Sequence, residues 1–286
     1  MIKAGKICSL VLDELKDLIF PGNSVIEICQ YADDRITELG GEKAFPCHVL
    51  MDDIANNYTS PMGDKTMILE NKMVSVDLGV HIEGNIAMSA RTFLFDPLYK
   101  EMKEAISEGM KSAIQSMCPG ASSKNVNNNI ELIIKPRGFK TLNNLVSHRI
   151  GKYKLSENTF SINDSATANE GESYALFIGI TDILADGMVT SGPPSNIFLF
   201  QKNKFFINTK TRKMLNYIEN EHRTLPFASR WIFNKFPKPE GKKAFQELQK
   251  TNCISTFPQL IERTNMPVAI AQQTVIITKE GCKVIT

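Results

Sequence analysis

The sequence predicts an α/β fold in which two similar halves wrap around one shared sheet, and three observations predict it. Two helix pairs carry the same punctuation, Pro21-Gly22 and Pro119-Gly120, 98 residues apart. A β-rich stretch follows each pair, MVSVDLGVHIEG from residue 73 and ESYALFIGITDIL from residue 172. A chain of 286 residues that is 42% hydrophobic also has apolar surface enough for a large core.

The elements follow in order. Ile7, Val11, Leu15, Leu18 and Ile19 recur at helical spacing over residues 6–20, and Pro21-Gly22 stops the run. Ser24 with Glu27 is a capping-box pattern, in which the hydroxyl takes an orphan amide and the carboxylate reaches back; Gly40-Gly41 ends that helix. In the second half, EMKEAISEGMKSAIQSM reads as a helix, and a polar start after Ser122 leads into another, NVNNNIELII. After SNIFLFQKNKFFI the pattern turns helical in TKTRKMLNYIENEHRTLPFASRWIFNKF and again in PEGKKAFQELQKTN. Strands resume at FPQLIERTNMPVAIAQQTVIIT. One domain over 1–286 is expected, with halves at about 1–95 and 96–286 and a helical insertion at 209–253.

Charges interrupt the apolar residues of the N-terminus, so neither a signal peptide nor a membrane span is expected, and the reading is of a soluble, cytoplasmic protein. Cys8, Cys29, Cys47, Cys118, Cys253 and Cys282 form no CxxC pair and are expected as buried, reduced thiols. No heptads or dimer stripe are evident, which fits a monomer. The net charge of +2 hides a segregation. Residues 202–250 hold twelve Lys or Arg against four Glu, a net +8 that leaves −6 for the remainder. Between Glu131 and Glu157 a second basic run, Lys135, Arg137, Lys140, Arg149, Lys152 and Lys154, has no acidic residue within it. Such segregation favours a polyanionic partner.

VSVDLGVHIEGNIAMSART, residues 74–92, has the look of a strand-turn-strand metal cradle with half its chemistry missing. Asp77 is a hard oxygen donor, but eleven residues on stands Met88, a soft thioether. This stretch, with AFPCHVLMDDIANNYTSP, LVSHRIGKYKL, EGESYALF, RTLPFASRWI and AIAQQTVIITKEGCKV, resembles the type II methionine aminopeptidases and their pita-bread relatives over nearly the whole chain. The resemblance implies the pita-bread fold, with a curved antiparallel sheet holding a central two-metal hydrolase site.

Carried over position by position, the family's metal-binding Asp and His fall on Asp77 and His148, while its bridging Asp and two Glu fall on Met88, Phe177 and Gln272. Its substrate-handling histidines fall on Asn57, Ser156 and Gln273. Losing three anionic donors removes the balance to two divalent ions. The expectations are therefore no dinuclear metal, no cofactor and a chain that is not an enzyme, with Met88 and Phe177 filling the vacated volume. His48, Asp52, Asp53 and His81 lie near enough in sequence to rebuild a site only if they converge.

Within the family the chain looks closest to the inactive proliferation-associated branch and to the Arx-type export factor. That implies a partner, the large ribosomal subunit near the peptide tunnel exit, contacted through rRNA and ribosomal proteins. Roles in ribosome biogenesis, translation control or ribosome inactivity follow, in the cytoplasm with the nucleus and nucleolus as further compartments. The proliferation-associated proteins usually continue into a lysine-rich tail; ending at Thr286, the chain is expected as a reduced version. The expected RNA surface is Lys202, Lys204, Lys210, Arg212, Lys213, Lys235, Lys238, Lys242 and Lys243, with Lys135, Arg137, Lys140, Lys152 and Lys154 as a second surface. Two alternatives stay open: a metal-free, creatinase-type hydrolase with His148 as general base, and a peptide- or histone-binding chaperone using the vacated cleft.

Overall fold

Ala4, Ile7, Cys8, Val11 and Leu12 give α1 (Ile2–Glu14) one buried face, and Val25, Ile28, Cys29, Ala32 and Ile36 do the same for α2 (Val25–Glu38). Both pack on the outer face of a sheet in a computed structural model that describes residues 1–70, 73–161 and 166–286. The capping box at Ser24 does not form: its side chain makes no cap bond, and neighbouring amides pair with residues 66–68 instead. Ser122, at the corresponding place in the second half, does cap its helix, accepting from Asn125 N.

The first half continues through β1 (Glu42–Met51), β2 (Ile54–Asn56), β3 (Met73–Ile82) and β4 (Asn85–Leu94). Glu83 and Gly84, both at positive φ, make the two-residue turn between β3 and β4. The second half holds α3 (Lys100–Ser116), α4 (Ser123–Ile134), β5 (Phe139–Thr141), β6 (Ser147–Gly151), β7 (Lys154–Phe160), β8 (Ser173–Asp182) and β9 (Val189–Phe200). Next come α5 (Thr209–His222), β10 (Phe227–Ala228), α6 (Ser229–Lys235) and α7 (Pro239–Lys250). The chain then closes through β11 (Ile254–Glu262), β12 (Ala269–Thr278) and β13 (Gly281–Val284).

The main sheet runs β1-β3-β4-β12-β8-β6-β7, antiparallel, with β13 on β12 and β5 on β8; a smaller sheet runs β10-β9-β11-β2. Two separate apolar clusters lie beneath the two helix pairs, one around Val76 and Leu78, the other around Leu176 and Ile178. This is the pita-bread architecture. The halves meet where β4 borders β12. There the ladder registers one pair, Gln272 with Ala90, and hydroxyls supply the rest. Thr274 Oγ1 bonds both Met88 N and Met88 O at 2.8 Å, Thr92 Oγ1 does the same to Ile270, and Ser89 Oγ donates to Gln272 O.

Helices α5, α6 and α7 have a core of their own, with Leu215, Ile218, Phe227, Phe245 and Leu248 buried. The helical stretch expected from residue 209 is broken: Arg223 takes φ 54°, Pro226 denies the helix an amide, and Phe227 pairs with Phe198 of β9. A buried ion pair anchors this unit to the first half. Arg230, 2% exposed, donates to Asp33 Oδ2 from Nη2 at 2.6 Å and from Nε at 3.0 Å, and from Nη1 to Thr59 and Ser60. One of the twelve basic residues of the segment is therefore structural. All six cysteines are free, but Cys118 is exposed and Cys282 half-buried, which corrects the expectation that every thiol is buried.

Candidate functional site

Directly opposed residues of antiparallel strands share a face, so the register aligns the candidate residues in rows on the inner face. One row runs His48, Asp77, Ala90, Gln272, Phe177 across five strands. The neighbouring row contains Phe45, Gly79 and Met88, then Thr274, Ala175 and His148. Gly79 is required there, because a Cβ would sit 2.3 Å from the Phe45 ring.

A cavity of about 170 Å³ opens between the rows. Asp77, Met88, His148, Gln272, Asn57 and Ser156 line it, and so does His48. Phe45, Leu155, Ile197, Pro226 and Phe257 make it largely apolar. Two expected members are elsewhere. Phe177 leans toward Leu142 and Leu145 and lines a different hollow, so Met88 but not Phe177 fills the centre. Gln273, one residue from Gln272, points to the opposite face beneath α3, as the two-residue period of a strand requires; it cannot handle a substrate held in this cavity. Asn57, at φ 62°, donates to Pro258 O at 3.0 Å. Of the residues considered for a rebuilt site, only His48 reaches the cavity; His81 packs on Tyr153 and lies 3.7 Å from Glu42.

Four buried polar atoms around this cavity have no hydrogen-bond partner among the described residues: His48 Nδ1, Asp77 Oδ1, His148 Nε2 and Gln272 Oε1. His48 Nδ1 is 3.7 Å from Asp77 Oδ2, too long for a good hydrogen bond. Burial raises the Asp77 carboxyl to about 8, pushes His48 down to about 3, and lowers His148 as well. At neutral pH the cavity thus holds a protonated acid and two neutral imidazoles. Among the described residues no three His, Cys, Asp or Glu side chains gather as a metal site. One carboxyl, two imidazoles, a thioether and a neutral amide, with a single potential anion among them, do not fit a pair of divalent ions.

The nine cations expected to contact RNA are all exposed, on the segment after β9 and on α5, the end of α6 and α7. Lys235 lies over Tyr217 and Arg212 over Phe205. The second set does not make one surface. Lys140 Nζ is taken by Ala185 O, Lys135 pairs with Glu131, and Arg137 pairs with Glu108. Lys140 stands opposite Thr181 at one end of β8, whereas the hairpin bearing Lys152 and Lys154 leaves its other end, on the order of 20 Å away. Sequence reasoning missed the seam hydroxyls and the Asp33–Arg230 anchor. An arginine amid the apolar stretch SRWIF was the signal for the second.

Residues 1–205 match the model of metallopeptidase family M24. The methionine aminopeptidase of Thermococcus kodakarensis is 34% identical over 291 residues, spanning 100% of this chain and 98% of its own. Among solved structures, a thermophilic Arx1 superposes with TM-score 0.84 at 18% identity, over 99% of this chain and 88% of that one. The methionine aminopeptidase of Thermotoga maritima does so with 0.71 at 18% identity, over 100% and 94%. At that identity the two structures speak for the fold alone. The sequence relative overturns the expectation that the chain is not an enzyme: whole-length identity of one third to a methionine aminopeptidase points to a peptidase. No helix among the described residues is long and apolar enough to cross a membrane.

Proposed function

The chain belongs to metallopeptidase family M24, and from that premise we propose that it is a methionine aminopeptidase-like protein that works on the large ribosomal subunit beside the peptide tunnel exit. Its basic insertion binds rRNA there, and its central cavity takes the N-terminal residue of a peptide. The observation that carries this reading is that the basic insertion also walls the cavity. Pro226, at the root of the basic helices, and Ile197 and Phe257, on the strands that bracket them, wall the cavity. Docking by the insertion therefore fixes where the cavity points.

The chemistry of the cavity supports a peptide end. At about 170 Å³ it is smaller than the roughly 300–1,000 Å³ of drug-sized sites, and suits a single unbranched apolar side chain. An ammonium group would donate to Gln272 Oε1 and Asp77 Oδ1, which have no partner among the described residues. Because the residues do not fit two metal ions, peptide-bond hydrolysis here falls to the protein's own groups: His148 takes a proton from the attacking water, and protonated Asp77 gives one to the departing amine. The work is cytoplasmic, with a nuclear stage where it serves subunit maturation.

Cosedimentation with large subunits across a salt series tests the reading, with Lys202, Lys204, Lys242 and Lys243 reversed to Glu as the comparison and methionine release from a Met-Ala-Ser peptide followed in parallel. Binding that weakens steeply with salt and falls at least tenfold in the reversed variant supports it. A folded protein that stays in the supernatant at low salt while the large subunits pellet refutes it.

A further inference from the structure

We propose that the insertion carries a second docking site, a groove between α5 and the α6–α7 junction that takes an acidic protein segment through one bulky apolar anchor. The groove measures about 270 Å³. Its floor is apolar, made by Met214 and Ala244, both buried, with Phe236 and Pro237. Its rim carries four exposed lysines, Lys210, Lys213, Lys235 and Lys238, against one carboxylate, Glu240, which lies 3.8 Å from Lys210.

Charge and polarity together choose the occupant. A phosphate backbone is satisfied by cations alone and gains nothing from an apolar floor, whereas an Asp- and Glu-rich segment bearing a Leu or Phe satisfies both. The residues leading into α5 are also apolar and exposed: Phe205 is 75% exposed and Ile207, three residues before Lys210, is 91% exposed. Large apolar side chains left in water beside a basic rim are features of a protein contact. Lys242 and Lys243 do not line this groove, so the insertion divides into a groove for a protein segment and an outer face for rRNA.

The test uses the full chain and a fluorescein-labelled 12-residue peptide of Asp and Glu around a central Leu-Phe pair, read by fluorescence anisotropy. Its comparisons are the same peptide with Ala-Ala at the centre and a 12-nucleotide single-stranded RNA. The groove predicts that the Leu-Phe peptide binds at least tenfold more tightly than the Ala-Ala peptide. It predicts loss of at least tenfold in Lys213→Glu/Lys235→Glu, and little change when Lys202, Lys204, Lys242 and Lys243 are reversed. Exposed positions keep these variants folded, which circular dichroism checks. A photo-crosslinking group replacing the central Phe should label residues 210–214 and 235–244. Equal binding of the two peptides, or displacement of the Leu-Phe peptide by the RNA at equal concentration, overturns the proposal and makes the rim part of the RNA surface. Failure of the ribosome cosedimentation would leave this outcome unmoved.

Discussion

Asp77→Asn should stabilise the protein at neutral pH and leave it unchanged in acid. The Asp77 side chain is buried, its Oδ1 lacks a partner among the described residues, and burial lifts its pKa from 3.8 to about 8. The folded state therefore keeps a proton that the unfolded chain gives up. A group raised in this way contributes its full stability below its unfolded value and loses it as pH climbs toward the folded value, at ~1.4 kcal/mol per pH unit. By pH 7 the loss reaches about 4 kcal/mol. His48 does not offset it, because with a pKa near 3 the ring is uncharged over this range. Asparagine keeps the shape, cannot ionise, and brings an amide that can donate to His48 Nδ1. At about 2 °C per kcal/mol for a chain of this size, the variant should melt roughly 8 °C above the parent at pH 7 and level with it near pH 4. Thermal melts of both proteins followed by circular dichroism from pH 4 to 8.5 measure this. A difference that stays flat with pH, or shrinks as pH rises, refutes the assignment of a protonated acid to the cavity.

Two further changes probe the joints around the site. Asp33→Ala strands the Arg230 guanidinium in the core and should cost about 3–5 kcal/mol, with the break near Arg223 and Pro226 becoming the first site of limited proteolysis. Thr274→Val removes both seam bonds to Met88 and should cost about 1–3 kcal/mol. Hydrogen exchange should quicken in β4 and β12 before it does in β3.

The period-two runs and the Pro-Gly marks were enough to read the halves, because those signals are local: a strand with both faces covered must be apolar throughout, and a helix must stop at proline. The site was legible only where side chains follow strand register. Asp77, Met88 and Gln272 face one another because antiparallel pairing leaves them no other face, and Gln273 is excluded for the same reason. Phe177 was misread because register fixes a face but not a rotamer, and the ring leans over Gly179, where no Cβ blocks it. The break in the first insertion helix was written in Pro226, whereas the apolar setting of Arg230 called for a partner without any local sign that Asp33, 197 residues away, would supply it.

The seam and the cavity occupy the same ground, and this bears on function. Where β4 meets β12 the backbone ladder nearly lapses, and Thr274, Thr92 and Ser89 bridge the gap. A core built for stability alone would close such a gap with apolar side chains, as it does under both helix pairs. Here, among the described residues, it keeps four polar atoms without a hydrogen-bond partner around the cavity, each costing about 1–3 kcal/mol. A ligand that brings hydrogen-bond donors to those atoms recovers that energy on binding.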